Sequence, residues 1–121
     1  KYHINDIVTF NYVDYMEAFY KKLLTDNALD TYYNQQSTVN ESHIKRVVGL
    51  PGDEVAIKDN RNLYINKRLV VKGENYIPNQ KYTLSEDEYF VVGDNTDNSF
   101  DSRLHGPVKF DSIYGKVIMF K

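Results

Sequence analysis

From residue 44 onward, apolar residues arrive in short runs broken by turn-forming residues, the pattern of an antiparallel β domain. Ile44 to Leu50 reads as a strand that stops at Pro51-Gly52. Glu54 to Lys58 alternates, with Val55 and Ile57 on one side. Asp59-Asn60-Arg61-Asn62 is turn chemistry, and Leu63-Tyr64-Ile65 resumes a strand. Asn66-Lys67 separates it from Leu69-Val70-Val71, which ends at Gly73-Glu74, and Pro78-Asn79 marks a further loop. Tyr89 to Val92 is uniformly apolar and closes at Gly93-Asp94-Asn95, and Val117 to Phe120 reads as a last strand after Gly115. Upstream, Asp6 to Phe10 is a short strand candidate with β-branched Ile7 and Val8.

Residues 14 to 25 break this rhythm. Met16, Phe19, Tyr20, Leu23 and Leu24 fall on one helical face, and Asp14 followed by Glu17 resembles a capping box. Packing of that face against the domain is the favoured reading; a partner-binding or membrane-surface helix is the sharper one, and the helix lacks the extended basic face a membrane surface asks for. Residues 30 to 42 are polar and read as a loop. The expected fold is mostly β, an antiparallel barrel or sheet domain, with one helix and loop insertion over about 11–42 near the N-terminus.

At 121 residues, 41% hydrophobic and 26% charged, the chain has the size and composition of one domain with its own core. It has no cysteine, which excludes disulfides, thiolate metal sites and cysteine nucleophiles. Fifteen basic and seventeen acidic residues give a net charge of −2 and no basic run, so nucleic acid is not an expected partner. The clearly apolar runs are far shorter than the roughly 20 residues of a membrane span. The start at Lys1 rather than Met leads to the expectation of a fragment.

Two segments carry more than a β domain requires. The first is His43-Ile44-Lys45-Arg46-Val47-Val48-Gly49-Leu50-Pro51-Gly52-Asp53. Strand alternation sends Lys45 and Arg46 to opposite faces. A buried lysine loses its proton more easily and can serve as a general base, although spacing alone favours two cations at the edge of a strand. The second is Gly93-Asp94-Asn95-Thr96-Asp97-Asn98-Ser99-Phe100-Asp101-Ser102-Arg103-Leu104-His105-Gly106. Read alone, it fits three things. Asp94, Asp97, Asn98 and Asp101 are oxygen donors for calcium, but the spacing and terminal glutamate of a calcium loop are missing. It also fits a turn capped by side-chain hydrogen bonds, or a polar scaffold that positions a catalytic group. Asp101 and Arg103 are close enough along the chain to pair.

Together, IKRVVGLPGD and GDNTDNSFDSRLHG resemble the bacterial type I signal peptidase family, over residues 43 to 121 and, in Asp6 to Phe10, the strand before the lysine block. Residues 11 to 42 do not match. The resemblance implies a mostly β domain on the outer face of the cell membrane, tethered by an N-terminal helix that is not in this chain. It implies removal of signal peptides from exported preproteins, bound as extended peptides with small side chains before the cleaved bond. Lys45 matches the general base that deprotonates a serine, and Ser99 the serine that orients its amine. Arg46, Asp94, Asp101 and Arg103 match residues that hold the site by ion pairs, and Gly93 and Asn95 belong to the same turn. The resemblance implies neither cofactor nor metal.

The chain departs from the family at the nucleophile, a serine followed by methionine: no Ser-Met dipeptide occurs, and Ser37 and Ser42 lie in the polar loop without that motif. The serine block is expected upstream, so the fragment alone is expected to be inactive. The alternative is a catalytically inactive relative that serves assembly of surface proteins or pili, as in some Gram-positive bacteria. His3, His43 and His105 are scattered without metal-site spacing and are expected at the surface or in turns.

Overall fold

The structure, a computed structural model, describes residues 1–10, 44–94 and 101–117. Within them the chain runs β1 (Ile7–Phe10), β2 (Ile44–Gly49), β3 (Glu54–Lys58), β4 (Asn62–Ile65), β5 (Arg68–Val71), β6 (Gln80–Thr83), β7 (Glu88–Val92), a helical turn α1 (Ser102–His105), β8 (Val108–Lys109), a 3-10 turn (Phe110–Ser112) and β9 (Ile113–Lys116). The strands form a five-stranded sheet ordered β8-β7-β2-β1-β9 and a four-stranded sheet ordered β5-β4-β3-β6, and all pairs are antiparallel. Among the described residues no helix is long and apolar enough to cross a membrane.

Alternation along the strands sorts the side chains into two cores. Val8, Phe10, Val47, Tyr89, Val91, Val108 and Ile113 cluster on one face of the five-stranded sheet. Phe90 and Val92, on the other face of β7, join Val55, Ile57, Leu63, Ile65 and Leu84 of the second core. β7 is therefore buried on both faces, which is why Tyr89-Phe90-Val91-Val92 reads as an unbroken apolar run rather than an alternation.

Turn chemistry sets the hairpins. Gly52 takes φ +90° after Pro51, a backbone that L side chains rarely adopt, and the turn closes with the Asp53 amide donating to the Leu50 carbonyl at 2.9 Å. Asn66 (φ 50°) and Lys67 (φ 69°) form the two-residue loop between β4 and β5, both left-handed as a type I′ turn requires.

The structure differs from the sequence-based expectation in three places. β6 was not expected, because its only apolar side chain, Tyr82, is one of two half-buried residues in a polar edge strand. Part of the second motif block is not a loop: Ser102–His105 form a short helical turn, and β8 follows it. The last described strand starts earlier than expected, at Ile113, and Gly115 lies inside it opposite Thr9; Val117 follows the strand, and residues 118–121 lie outside the described residues. The expected helix over 14–25, the loop over 30–42 and the insertion as a whole also lie outside the described residues.

A register shift between Val47 and Gly49 brings β2 tightly against β7. A Cβ at Gly49 would sit 2.9 Å from the Phe90 Cβ and 3.1 Å from Leu84 Cδ1. The Phe90 atom is fixed to the backbone and cannot swing away. Gly49→Ala is expected to cost about 1–3 kcal/mol and to lower Tm by about 4–12 °C in thermal unfolding followed by circular dichroism.

Candidate active site

β2 presents the first motif block. Cross-strand partners share a face, and Lys45 lies opposite Val8 of β1 while Val47 lies opposite Val91 of β7. Lys45 therefore rises at the rim of the first core. Arg46 lies opposite Val92 and points the other way. The half-buried Lys45 amine is held below the ordinary lysine range. Burial is the main cause; the negative charge of Asp101 pulls it back up, and the positive charge of Arg103 pushes it further down.

The second block begins where β7 ends. Asp101 is fully buried and Arg103 is 4% exposed. Asp101 Oδ1 accepts from the Arg103 backbone amide and from its Nε, each at 3.0 Å. Oδ2 accepts from the Arg103 guanidinium at 2.9 Å and from the Gly93 amide at 3.0 Å. One carboxylate thus balances a buried guanidinium, caps α1 and ties that turn to the end of β7. Ser102, 1% exposed, accepts the Val91 amide on its Oγ at 3.0 Å, satisfying a donor of β7 beyond the short pairing with β8.

Arg46 and Asp94 form a second, bidentate pair, Nε to Oδ1 at 3.0 Å and the guanidinium to Oδ2 at 3.1 Å, and Arg46 also donates to the Asn5 carbonyl at 3.3 Å. The Arg46 guanidinium holds the Asp94 carboxyl below its usual range. This pair is exposed, so its worth in stability is about 0.2–1 kcal/mol. It joins the N-terminal segment, β2 and the end of β7 on the face away from Lys45.

The structure thus brings Lys45, Asp101 and Arg103 into one electrostatic neighbourhood and places Arg46 with Asp94 behind it. Gly93 serves through its amide. Asn95 and Ser99 lie outside the described residues, as does His43. Two residues join the site that the sequence reading did not assign to it. Ser102 gave no signal, since a serine in a polar block has many fates. His105 was expected at the surface or in a turn. It does end α1, but its ring is drawn inward against Phe10 at 5.9 Å, and its Nδ1 lies 2.8 Å from the Gly106 carbonyl.

Burial lowers the His105 pKa to about 4, with Asp101 opposing and Lys45 contributing to the lowering. The imidazole is therefore neutral near pH 7. Between about pH 6.5 and 4 the unfolded chain binds a proton that the folded chain refuses, so stability falls as pH falls through that window. The expected loss is on the order of 2–3 kcal/mol. Denaturant unfolding at a series of pH values should show it, and His105→Gln should flatten the curve over the same range.

The sequence profile described as "Signal peptidase, peptidase S26" matches residues 2–120. A signal peptidase I of Bacillus amyloliquefaciens is 44% identical over 80 residues, which is 53% of this chain and 42% of that protein. A probable signal peptidase I-2 of Synechocystis is 37% identical over 86 residues, 66% of this chain and 38% of that protein. The chain thus spans about two fifths of the length of these relatives. A crystal structure of a signal peptidase I from Enterococcus faecalis superposes with a TM-score of 0.58 at 27% identity, covering 98% of this chain and 97% of that one. The chain belongs to the signal peptidase family.

Proposed function

We propose that this chain carries the general base of a Ser/Lys endopeptidase that removes signal peptides from exported preproteins. The observation that carries the reading is the placement of Lys45: a half-buried amine, held below the ordinary lysine range, beside a buried Asp101–Arg103 pair. The relatives, named as signal peptidases, support the same reading. They lend nothing to the alternative of an inactive factor in surface-protein or pilus assembly.

In the proposed reaction the neutral Lys45 amine takes the proton of a serine hydroxyl. The serine oxygen attacks the carbonyl carbon of the scissile peptide bond. The Lys45 ammonium then returns the proton to the departing amine, the C–N bond breaks, and an acyl-serine ester remains. A water, deprotonated by the same amine, hydrolyses that ester and frees the serine. Ser99 is proposed to orient the amine, with Gly93 and Asn95 shaping the turn that holds it. Asp101 with Arg103, and Arg46 with Asp94, are proposed to hold the strand ends in place. The attacking serine is proposed to come from a Ser-Met block outside these 121 residues. The substrate is proposed to be the extended cleavage region of a preprotein, met on the outer face of the cell membrane, to which an N-terminal helix would tether the domain.

The test is cleavage of a preprotein by the full-length protein. Lys45→Met is expected to lower kcat/KM by at least about 1,000-fold. Its Tm near neutral pH should be unchanged or higher, because the variant removes a charge that burial disfavours. In the wild type, kcat/KM should rise with pH and level off below the pH at which an ordinary lysine loses its proton, since only the neutral amine is a base. Undiminished cleavage by the folded Lys45→Met protein contradicts the assignment.

A further inference from the structure

A second concave surface lies at the far end of β2 from Lys45. A cavity of about 580 Å³ opens beside Leu50 and Pro51, which follow that strand. From Lys45 to Leu50 an extended chain covers on the order of 15 Å, and the peptidase reading uses none of the cavity's walls. Its aromatic wall is Tyr2, Tyr89 and Phe110. Tyr2 and Tyr89 meet edge to face with ring centroids 5.5 Å apart, and Phe110 stands 5.6 Å from Tyr2 and 6.4 Å from Tyr89. Around these rings lie three carboxylates, Glu86, Asp87 and Asp111.

Three details set this cavity apart from a solvated crease. First, the wall is pinned while its outer ring stays open. The Phe110 amide donates to the Asp87 carbonyl at 2.7 Å, and the Tyr2 amide donates to the Tyr89 hydroxyl at 3.4 Å. Tyr89 is 4% exposed, but Phe110 keeps 43% of its surface in water. Second, Glu86, Asp87 and Asp111 are exposed, and none of the ion pairs among the described residues engages them. Third, the nearby cations are mostly directed elsewhere. Lys109 precedes Phe110 but stands opposite Glu88, on the face that alternation turns away from Tyr89 and Val108. His3 also lines the cavity, with its Nδ1 3.8 Å from Asp6 Oδ2. That leaves the exposed Lys1 as the lysine in the lining. Ring faces and carboxylates attract the same sign of charge. Among the described residues no group of side chains is arranged to hold a metal ion, so the two features together fit an organic cation.

We propose that this cavity binds an arginine side chain of a polypeptide partner. A guanidinium is planar, stacks on an aromatic ring and offers a fork of N–H donors to a carboxylate. It is also weakly hydrated, so leaving water for an aromatic wall costs it less than it costs a lysine ammonium. A quaternary ammonium would use the rings but has no N–H for the carboxylates. The apolar stem of an arginine can lie along Leu50 and Pro51 while its head faces Phe110 and the acids. The cavity exceeds a guanidinium head several-fold in volume, which leaves room for the stem and for the peptide on either side of it. The site is separate from the chemistry at Lys45 and stands or falls without it.

The experiment is an NMR titration of the 121-residue chain with an alanine pentapeptide that carries arginine at its centre. Matched peptides carry citrulline, its neutral isostere, or lysine, and free methylguanidinium is the fourth probe. The arginine peptide is expected to shift the Asp87, Tyr89 and Phe110 signals saturably, with a Kd on the order of 1 mM that weakens as salt rises. The citrulline peptide should bind at least about ten-fold more weakly, and the lysine peptide and methylguanidinium about three-fold more weakly. Phe110→Leu, which keeps an apolar side chain and removes the ring, should cost about five-fold. The combined Glu86→Gln, Asp87→Asn, Asp111→Asn protein should cost about ten-fold. These side chains are exposed, and unchanged amide signals outside the cavity would show that the variants are folded. Equal binding of the citrulline peptide would make the cavity merely apolar and overturns the proposal. Binding that Phe110→Leu leaves intact, or no saturable shift at all, would reduce it to an acidic surface and overturns it too. Lysine binding as tightly as arginine overturns the choice of guanidinium, and methylguanidinium binding as tightly as the peptide overturns the choice of polypeptide.

Discussion

A carboxylate taken out of water costs several kcal/mol unless its lone pairs are filled and its charge is balanced. Asp101 has no exposed surface, and four donors meet it: three from Arg103 and one from the Gly93 amide. That arrangement joins the start of α1 to the end of β7 at a single point. The Ser102 bond to Val91 follows one residue later and extends the same seam. The pair is also a local dipole beside β2. Its negative end raises the Lys45 amine and its positive end lowers it, so burial is left as the main influence on that amine. Removing either partner would leave the other buried and unpaired, a loss far greater than breaking the exposed Arg46–Asp94 pair.

β7 is the second constraint, and it works through packing. Its odd-numbered side chains fill one core and its even-numbered ones the other. A slip of one residue would exchange the two sets, so the register with β2 is strongly specified. Because β2 inherits that register, Lys45 is held on the side of the first core and Arg46 on the side of the second. The position of the candidate base is thus set by buried apolar residues, and Gly49 permits the close approach of the two strands on which it depends.

Much of this was legible in the sequence because it rests on local rules. The alternation of a strand separates Lys45 from Arg46 without any tertiary knowledge, Pro51-Gly52 announces its turn, and the spacing of Asp101 and Arg103 allows the pair that forms. What was not legible depends on long-range contacts. Ser102 earns its place only because β8 is too short to cover Val91, and His105 is buried because Phe10, from the other end of the chain, lies against it. β6 was missed because an edge strand needs few apolar residues. The strand Leu69-Val70-Val71 is apolar throughout, and only the placement of β5 at a sheet edge shows that its first two residues face solvent.

The central claim is that the fold, before any substrate arrives, has made Lys45 a better base than a free lysine. Titration of the individual lysine side chains by NMR, with Lys45 assigned from the loss of its signal in Lys45→Met, tests this most directly. The account predicts that the Lys45 amine loses its proton at a pH below the ordinary lysine range. A Lys45 amine that titrates in the ordinary lysine range, in a protein that is otherwise folded, would contradict it.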